Sequence, residues 1–273
     1  MGETTQDEAR RRTKGPAAAR ETAAIFSEVS IPKLRAGTKT QTRRTKGLKA
    51  INLNPSAARL LSFRDGVATF GHAIPDDPVP VVVRSSYRPG ETVWVRETWG
   101  YRGASWSNQK PGQHEVRIAY RADDSKREFI RKGEGWASGL PKQKPPPEPR
   151  NEDDFEAILA RDDYYSRWWK SWRSPLFMPR WAARIFLRVE EVRCERLQSI
   201  SEEDAVAEGV ERVGLPGDTR PLWRVGHELH ESAVGAFSAV WEALHGPGAW
   251  DANPWVFAVT FRTLTGEEVP HGA

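Results

Sequence analysis

The chain has 273 residues, 38% of them hydrophobic and 29% charged, the proportions of an ordinary globular protein. No stretch approaches the roughly 20 apolar residues of a membrane helix, the charged start lacks the apolar run of a secretory leader, and a single cysteine excludes an internal disulfide or a cysteine-built zinc site, so a reducing, cytoplasmic setting without a membrane partner is expected. Net charge is only +4, but eight basic residues and no acid lie between Val29 and Phe63, while twelve acids stand against four arginines from Ser201 onward, which predicts a localised anion-binding face.

Residues 1–22 are charged, Ala-rich and aperiodic, and predict a disordered tail ahead of one domain over 23–265, with a short tail at 266–273. Order is expected from near Ile25. Ser27–Gly37 predicts a short helix with Ser27 as a candidate cap, Pro32 in its first turn and Gly37 as its stop. Val79–Arg84 and Thr92–Glu97 are β-rich runs separated by the turn signal Tyr87-Arg88-Pro89-Gly90, and Val116–Tyr120 predicts a further strand. An insertion over 124–176 holds a Pro-rich surface excursion (133–150) and a helix-like stretch, Asp153–Trp172, that ends in Trp168, Trp169 and Trp172. Ile185–Leu197 predicts one long bent strand or two, Ser201 opens a helix with an imperfect capping box, Ser232–Leu244 is an amphipathic helix closed by Gly246, and Trp255–Phe261 alternates most clearly of all. Strands with scattered helices and no βαβ rhythm give an α+β or barrel-like fold.

The segment Ala36-Gly37-Thr38-Lys39-Thr40-Gln41-Thr42-Arg43-Arg44 is the strongest local signal. It lacks the glycine register of a Walker loop, but hydroxyls, backbone donors after a glycine and three nearby cations suit a phosphate or another anion; a solvated basic loop is the alternative.

That segment resembles the signature of the ASCH domains, a branch of the PUA-like fold, and of their longer phage and prophage members in particular, with Thr38 where the family usually has Arg. Further matches follow in the same order: Pro89–Trp99, Tyr120–Asp123, Phe177–Arg184, Leu197–Gly209 and Trp250–Val256. The resemblance implies a PUA-like small β-barrel with flanking helices and a cleft for RNA, single-stranded or modified DNA, or a modified nucleoside. Smaller relatives are amidohydrolases that remove acyl groups from the exocyclic nitrogen of cytidine, and carrying their residues over places Lys39, Thr42 and Glu208 in the catalytic positions and Arg44 in a further basic one. No cofactor and no metal are implied.

The chemistry is coherent on its own terms. Thr42 Oγ1 attacks an amide only if a base takes its proton, and a helical turn would set Lys39 and Thr42 on one face. A lysine base must be neutral, which takes a closed pocket and neighbouring cations such as Arg43 or Arg44; a Glu208–Lys39 ion pair would oppose that role, and Glu208 suits better as proton shuttle for the leaving amine. A non-catalytic reader of RNA or modified DNA would use the same residues, as would a single-strand ribonuclease.

In a strand, Trp94 shares a face with Arg96, and Glu97 with Trp99, an arrangement that can sandwich a base and read its edge; a core Trp94 with Glu97 paired to a neighbour is the alternative. The substrate-binding candidates are therefore Arg43, Arg44, Trp94, Arg96, Glu97 and Trp99. Cys194 is expected to be a packed thiol. His227, Glu228 and His230 could bind a metal only on a helix face, and they lack a third ligand and the zincin spacing.

Overall fold

In the computed structural model, which describes residues 20–71, 79–106, 113–132, 172–214 and 221–269, the chain is an α+β protein built mostly of strands. In chain order the elements are β1 (Glu21–Ile25), α1 (Ser30–Arg35), β2 (Gln41–Arg44), β3 (Arg59–Arg64), β4 (Val67–Gly71), β5 (Val81–Arg84), β6 (Thr92–Arg96), β7 (Trp99–Trp106), β8 (Gln113–Tyr120) and β9 (Lys126–Lys132). Then follow β10 (Phe186–Arg196), α2 (Glu202–Ala207), β11 (Glu211–Val213), β12 (Leu222–Val225), β13 (Glu228–His230), α3 (Ala233–His245) and β14 (Trp255–Thr263). The Pro-rich excursion and nearly all of the helix-like stretch after it lie outside the described residues.

The alternation of β14 sets its place. Phe257, Val259 and Phe261 enter the main core while Val256 packs into a separate cluster on the other face, so the strand is covered on both sides. It lies inside a five-stranded sheet ordered β1–β6–β10–β14–β2, antiparallel except for β1 beside β6. Three smaller antiparallel sheets, β3–β4–β5, β7–β8–β9 and β11–β12–β13, complete the architecture.

All the sheets are open, and among the described residues no backbone ladder closes a barrel. The two edges of the large sheet nevertheless approach each other. Arg44 Nη2 at the end of β2 donates to Ile25 O at the end of β1 (2.9 Å), and the Phe26 ring meets Phe261 edge-on. A side chain bridges these edges because α1, not a further strand, connects them, burying Ile31 and Leu34 in the main core.

Local signals account for several boundaries. Helix α1 starts after Val29 rather than at Ser27, has Pro32 in its first turn where a missing N–H costs little, and stops at Gly37 (φ +70°). Strand β10 is a single strand bent by a register shift between Val189 and Glu191. Ser201 caps α2 by accepting from Asp204 N (3.1 Å), but Asp204 does not complete the box, since its carboxylate binds Gln41, Arg43 and Arg193. Glu202 accepts from Ala233 N (2.7 Å) at the start of α3 and joins the two helices. Ser232 caps α3, and Gly246 (φ +97°) ends it. Order begins earlier than expected, because Glu21–Ile25 pairs residue for residue with Thr92–Arg96. No helix among the described residues is long and apolar enough to cross a membrane.

Candidate functional site

Helix α1, the turn at Gly37 and β2 press the basic segment against α2. The four amides after the helix are used: Gly37 N binds Leu34 O (3.1 Å), Thr38 N and Lys39 N bind Lys33 O (3.0 and 3.2 Å), and Thr40 N binds Ala207 O (2.8 Å). The Thr38 hydroxyl also donates to Lys33 O (3.3 Å). Built this way, the segment is a clasp between α1, β2 and α2 rather than an open cradle for a phosphate, because the amides after Gly37 that would line such a cradle point at backbone carbonyls.

The cations are engaged as well. Lys39 Nζ donates to Glu208 Oε2 (2.7 Å) and to Glu208 O (2.6 Å). The Arg43 side chain, 0% exposed, reaches Glu195 (2.8 Å), Asp204 (2.9 Å) and Glu208 (3.2 Å) and binds Gln41 Oε1 (2.6 Å). Gln41 Nε2 in turn donates to Asp204 Oδ1 (3.0 Å), and Arg193 binds both Asp204 and Glu195. Lys39, Arg43 and Arg193 thus face Glu195, Asp204 and Glu208, and the charges cancel in a largely buried network. Burial pushes the Asp204 carboxyl up, but the Gln41 hydrogen bond and the Arg193 and Arg43 charges outweigh it and hold the group below the usual carboxylate range.

Lys39 and Thr42 do not share a helical face, since residues 38–40 form a non-helical connection and β2 is a strand. Gln41 and Arg43 both reach Asp204 on one face of β2. Thr42, which is buried and pairs with the core residue Val259, and Arg44, stacked on Phe26 (4.7 Å), lie on the other. Glu208 is on the Arg43 side. The structure therefore brings Lys39, Arg43 and Glu208 together and sets Thr42 across the strand from them.

Of the aromatic candidates, Trp99 is 0% exposed and Trp94 is also buried, both within one apolar cluster with Met178, Trp181 and Phe186. Arg96 does share a face with Trp94, its guanidinium lying 4.6 Å from the ring centroid, and Nη1 donates to Leu176 O (3.2 Å). Glu97, 1% exposed, makes two hydrogen bonds to Arg184 (2.6 and 2.7 Å). Burial raises the Glu97 carboxyl, and Arg184 opposes that rise. Arg184 also binds Asp123 (3.0 Å) and lies 4.0 Å from the Tyr120 ring centroid.

Asp204, Glu195, Arg193 and Arg184 were not singled out as partners from sequence. The usable signal was strand alternation, which puts Arg193 and Glu195 on one face of β10. His227 lies in a turn and Glu228 and His230 in β13, not on a helix, and no group of three potential metal ligands occurs among the described residues. No family model matches the chain, and neither a curated protein nor a solved structure matches it.

Proposed function

We propose that the chain is an ASCH-type protein that recognises nucleic acid or a nucleobase, acting as a reader rather than as a hydrolase. One observation carries this: Arg44 and Arg96, both at the end of β1, are each laid on an aromatic ring and anchored to a backbone carbonyl, with no carboxylate partner among the described residues. Ile25, whose carbonyl holds Arg44, is the register partner of Arg96. Guanidinium groups held this way are suited to phosphate or to a base edge. The accompanying fold reading is a PUA-like barrel, supported by the approach of the sheet's two edges at Arg44 and Ile25.

A second reading, amide hydrolysis on an N-acylated cytosine-type base, is favoured by the meeting of Lys39 and Glu208 at 2.7 Å. Against it stand the position of Thr42 across β2 and the use of the Lys39 ammonium by a carboxylate, which leaves it no lone pair to take a proton. Incubation with N4-acetylcytidine and a panel of other acylated nucleosides, read by mass spectrometry, separates the two. The reader leaves every nucleoside intact and binds oligonucleotides with an affinity that falls as salt rises. Turnover abolished by Lys39→Ala and by Thr42→Ala would establish the hydrolase, and neither turnover nor binding would remove both.

A further inference from the structure

Resting on the nucleic-acid reading above, we infer that the ligand is a single strand gripped at the end of β1, with Phe177 stacking one of its bases and Arg96 and Arg44 holding its phosphates. Phe177 is 68% exposed, although the turn that carries it, Pro175–Phe177, is well fixed. Ser174 Oγ accepts from Leu176 N (3.3 Å), Phe177 N binds Ser174 O (3.1 Å), Met178 N binds Pro175 O (3.0 Å), and the Met178 side chain is buried. An aromatic ring presented to solvent on an ordered turn can stack at little entropic cost, because nothing more need be immobilised when a base arrives.

Arg96 places charge beside that ring. Its Nη1 is held by the carbonyl of Leu176, the residue before Phe177. Across the end of β1, Arg44 is held by Ile25 O, and Phe26 N in turn binds Arg96 O (3.4 Å), so the two arginines are linked through consecutive residues of one strand end. Arg44 Nη1 and Arg96 Nη2 have no protein partner among the described residues. This donor capacity is unmet, and a phosphate oxygen is the acceptor that a planar, permanently charged guanidinium fits best.

The same geometry argues against recognition at the buried tryptophans. Trp94 and Phe26 each carry a guanidinium, and Trp99 is enclosed, whereas Phe177 is an exposed ring that follows the Arg96-bound Leu176. A duplex hides the faces of its bases, whereas a single strand offers a π-face and a phosphate at every nucleotide, so binding here depends little on base identity.

The test is fluorescence anisotropy with a labelled oligouridylate and oligothymidylate, a duplex and an abasic strand of the same length, and free nucleosides as competitors, each across a salt series. Tight binding of single strands is expected, with weaker binding of the duplex and the abasic strand and no competition from nucleosides. Phe177→Ala should weaken single-strand binding by roughly 5- to 100-fold without changing the salt slope, and Phe177→Tyr should keep it. Arg96→Ala and Arg44→Ala should each lower the magnitude of the log–log salt slope by about 0.7, and Arg96→Lys should keep the slope. A thermal melt of each variant separates loss of binding from loss of fold. Wild-type affinity in folded Phe177→Ala and Arg96→Ala, equal binding of duplex, or full competition by nucleosides overturns this inference and leaves the broader reading standing. Failure to bind any oligonucleotide or nucleoside overturns both.

Discussion

Lys39 Nζ and the Glu208 carboxylate meet at 2.7 Å although 169 positions separate them in the chain, and the same carboxylate also receives Arg43. The contact closes the clasp between β2 and the end of α2. Removing one member of a buried pair costs about 3–5 kcal/mol when the other is left with no partner; here Glu208 keeps Arg43 and Lys39 keeps the Glu208 carbonyl, so the loss is smaller. Lys39→Ala and Glu208→Ala should each lower the unfolding free energy measured by urea titration by up to about 3 kcal/mol, seen as a lower midpoint at unchanged slope, and Lys39→Met combined with Glu208→Leu should recover part of the loss. Single variants as stable as the wild type would show that the pair does not hold the clasp.

Gly209 makes the same clasp possible from the backbone. It leaves α2 at φ +90°, and a Cβ there would lie 3.2 Å from Lys39 Cβ and 3.2 Å from Lys33 Cδ, while Lys33 Nζ binds its carbonyl (2.6 Å). Gly209→Ala should therefore destabilise the protein by more than the about 1–2 kcal/mol of a left-handed backbone alone. Calorimetry measures the shift in Tm. An unchanged Tm would mean that the turn relaxes without cost.

Elements with a strong period or cap signal were legible in the sequence, and the pairing of charges was not. The alternation of β14, the Ser201 and Ser232 caps and the Gly37 stop all act within a few residues. The β3–β4 hairpin was equally local, with Asp65 and Gly66 both at positive φ in a two-residue turn, and its Asp-Gly signal went unused. The run of cations from Lys33 to Arg44 looked like a surface for anions because its counter-charges, Glu195, Asp204 and Glu208, lie far along the chain. Charge asymmetry along a sequence is silent on whether its halves neutralise each other in space. Trp99 misled for a related reason, since a strand position beside Glu97 is compatible with a cleft wall or with a core, and long-range packing decides which.

Glu97 and Asp123 share the Arg184 guanidinium but should titrate in opposite directions. Burial dominates at Glu97 and raises its carboxyl. At Asp123, burial also pushes upward, but hydrogen bonds from Arg184 and Ser125 prevail and bring the group down to about 2. The depressed Asp123 contributes stability that is present above its unfolded value of about 3.9 and is lost as pH falls through about 2. Glu97 has the reverse sign: its contribution is present below its unfolded value and lost as pH rises through its raised folded value. Carbon-detected NMR should find Glu97 titrating above ordinary glutamates and Asp123 near 2, and Asp123→Asn should flatten the acid limb of stability. Both groups titrating at ordinary values would contradict the geometry at Arg184.

Cys194 lies near the C-terminal end of β10 with its side chain in the main core, and burial, helped by the neighbouring Glu195 carboxylate, pushes its thiol up to about 12. Alkylation needs the thiolate, which an ordinary cysteine of pKa about 8.5 forms readily at pH 8. Native Cys194 should therefore react with iodoacetamide roughly a thousandfold more slowly than the unfolded chain, before any allowance for the packing around it. Labelling then reports opening of the central sheet. The logarithm of its rate should rise in Lys39→Ala and Glu208→Ala in proportion to their lost stability, because β10 also carries Glu195, a partner of Arg43 in the same network. Rapid native labelling, or a rate indifferent to those substitutions, would show that the thiol is reached without opening the sheet.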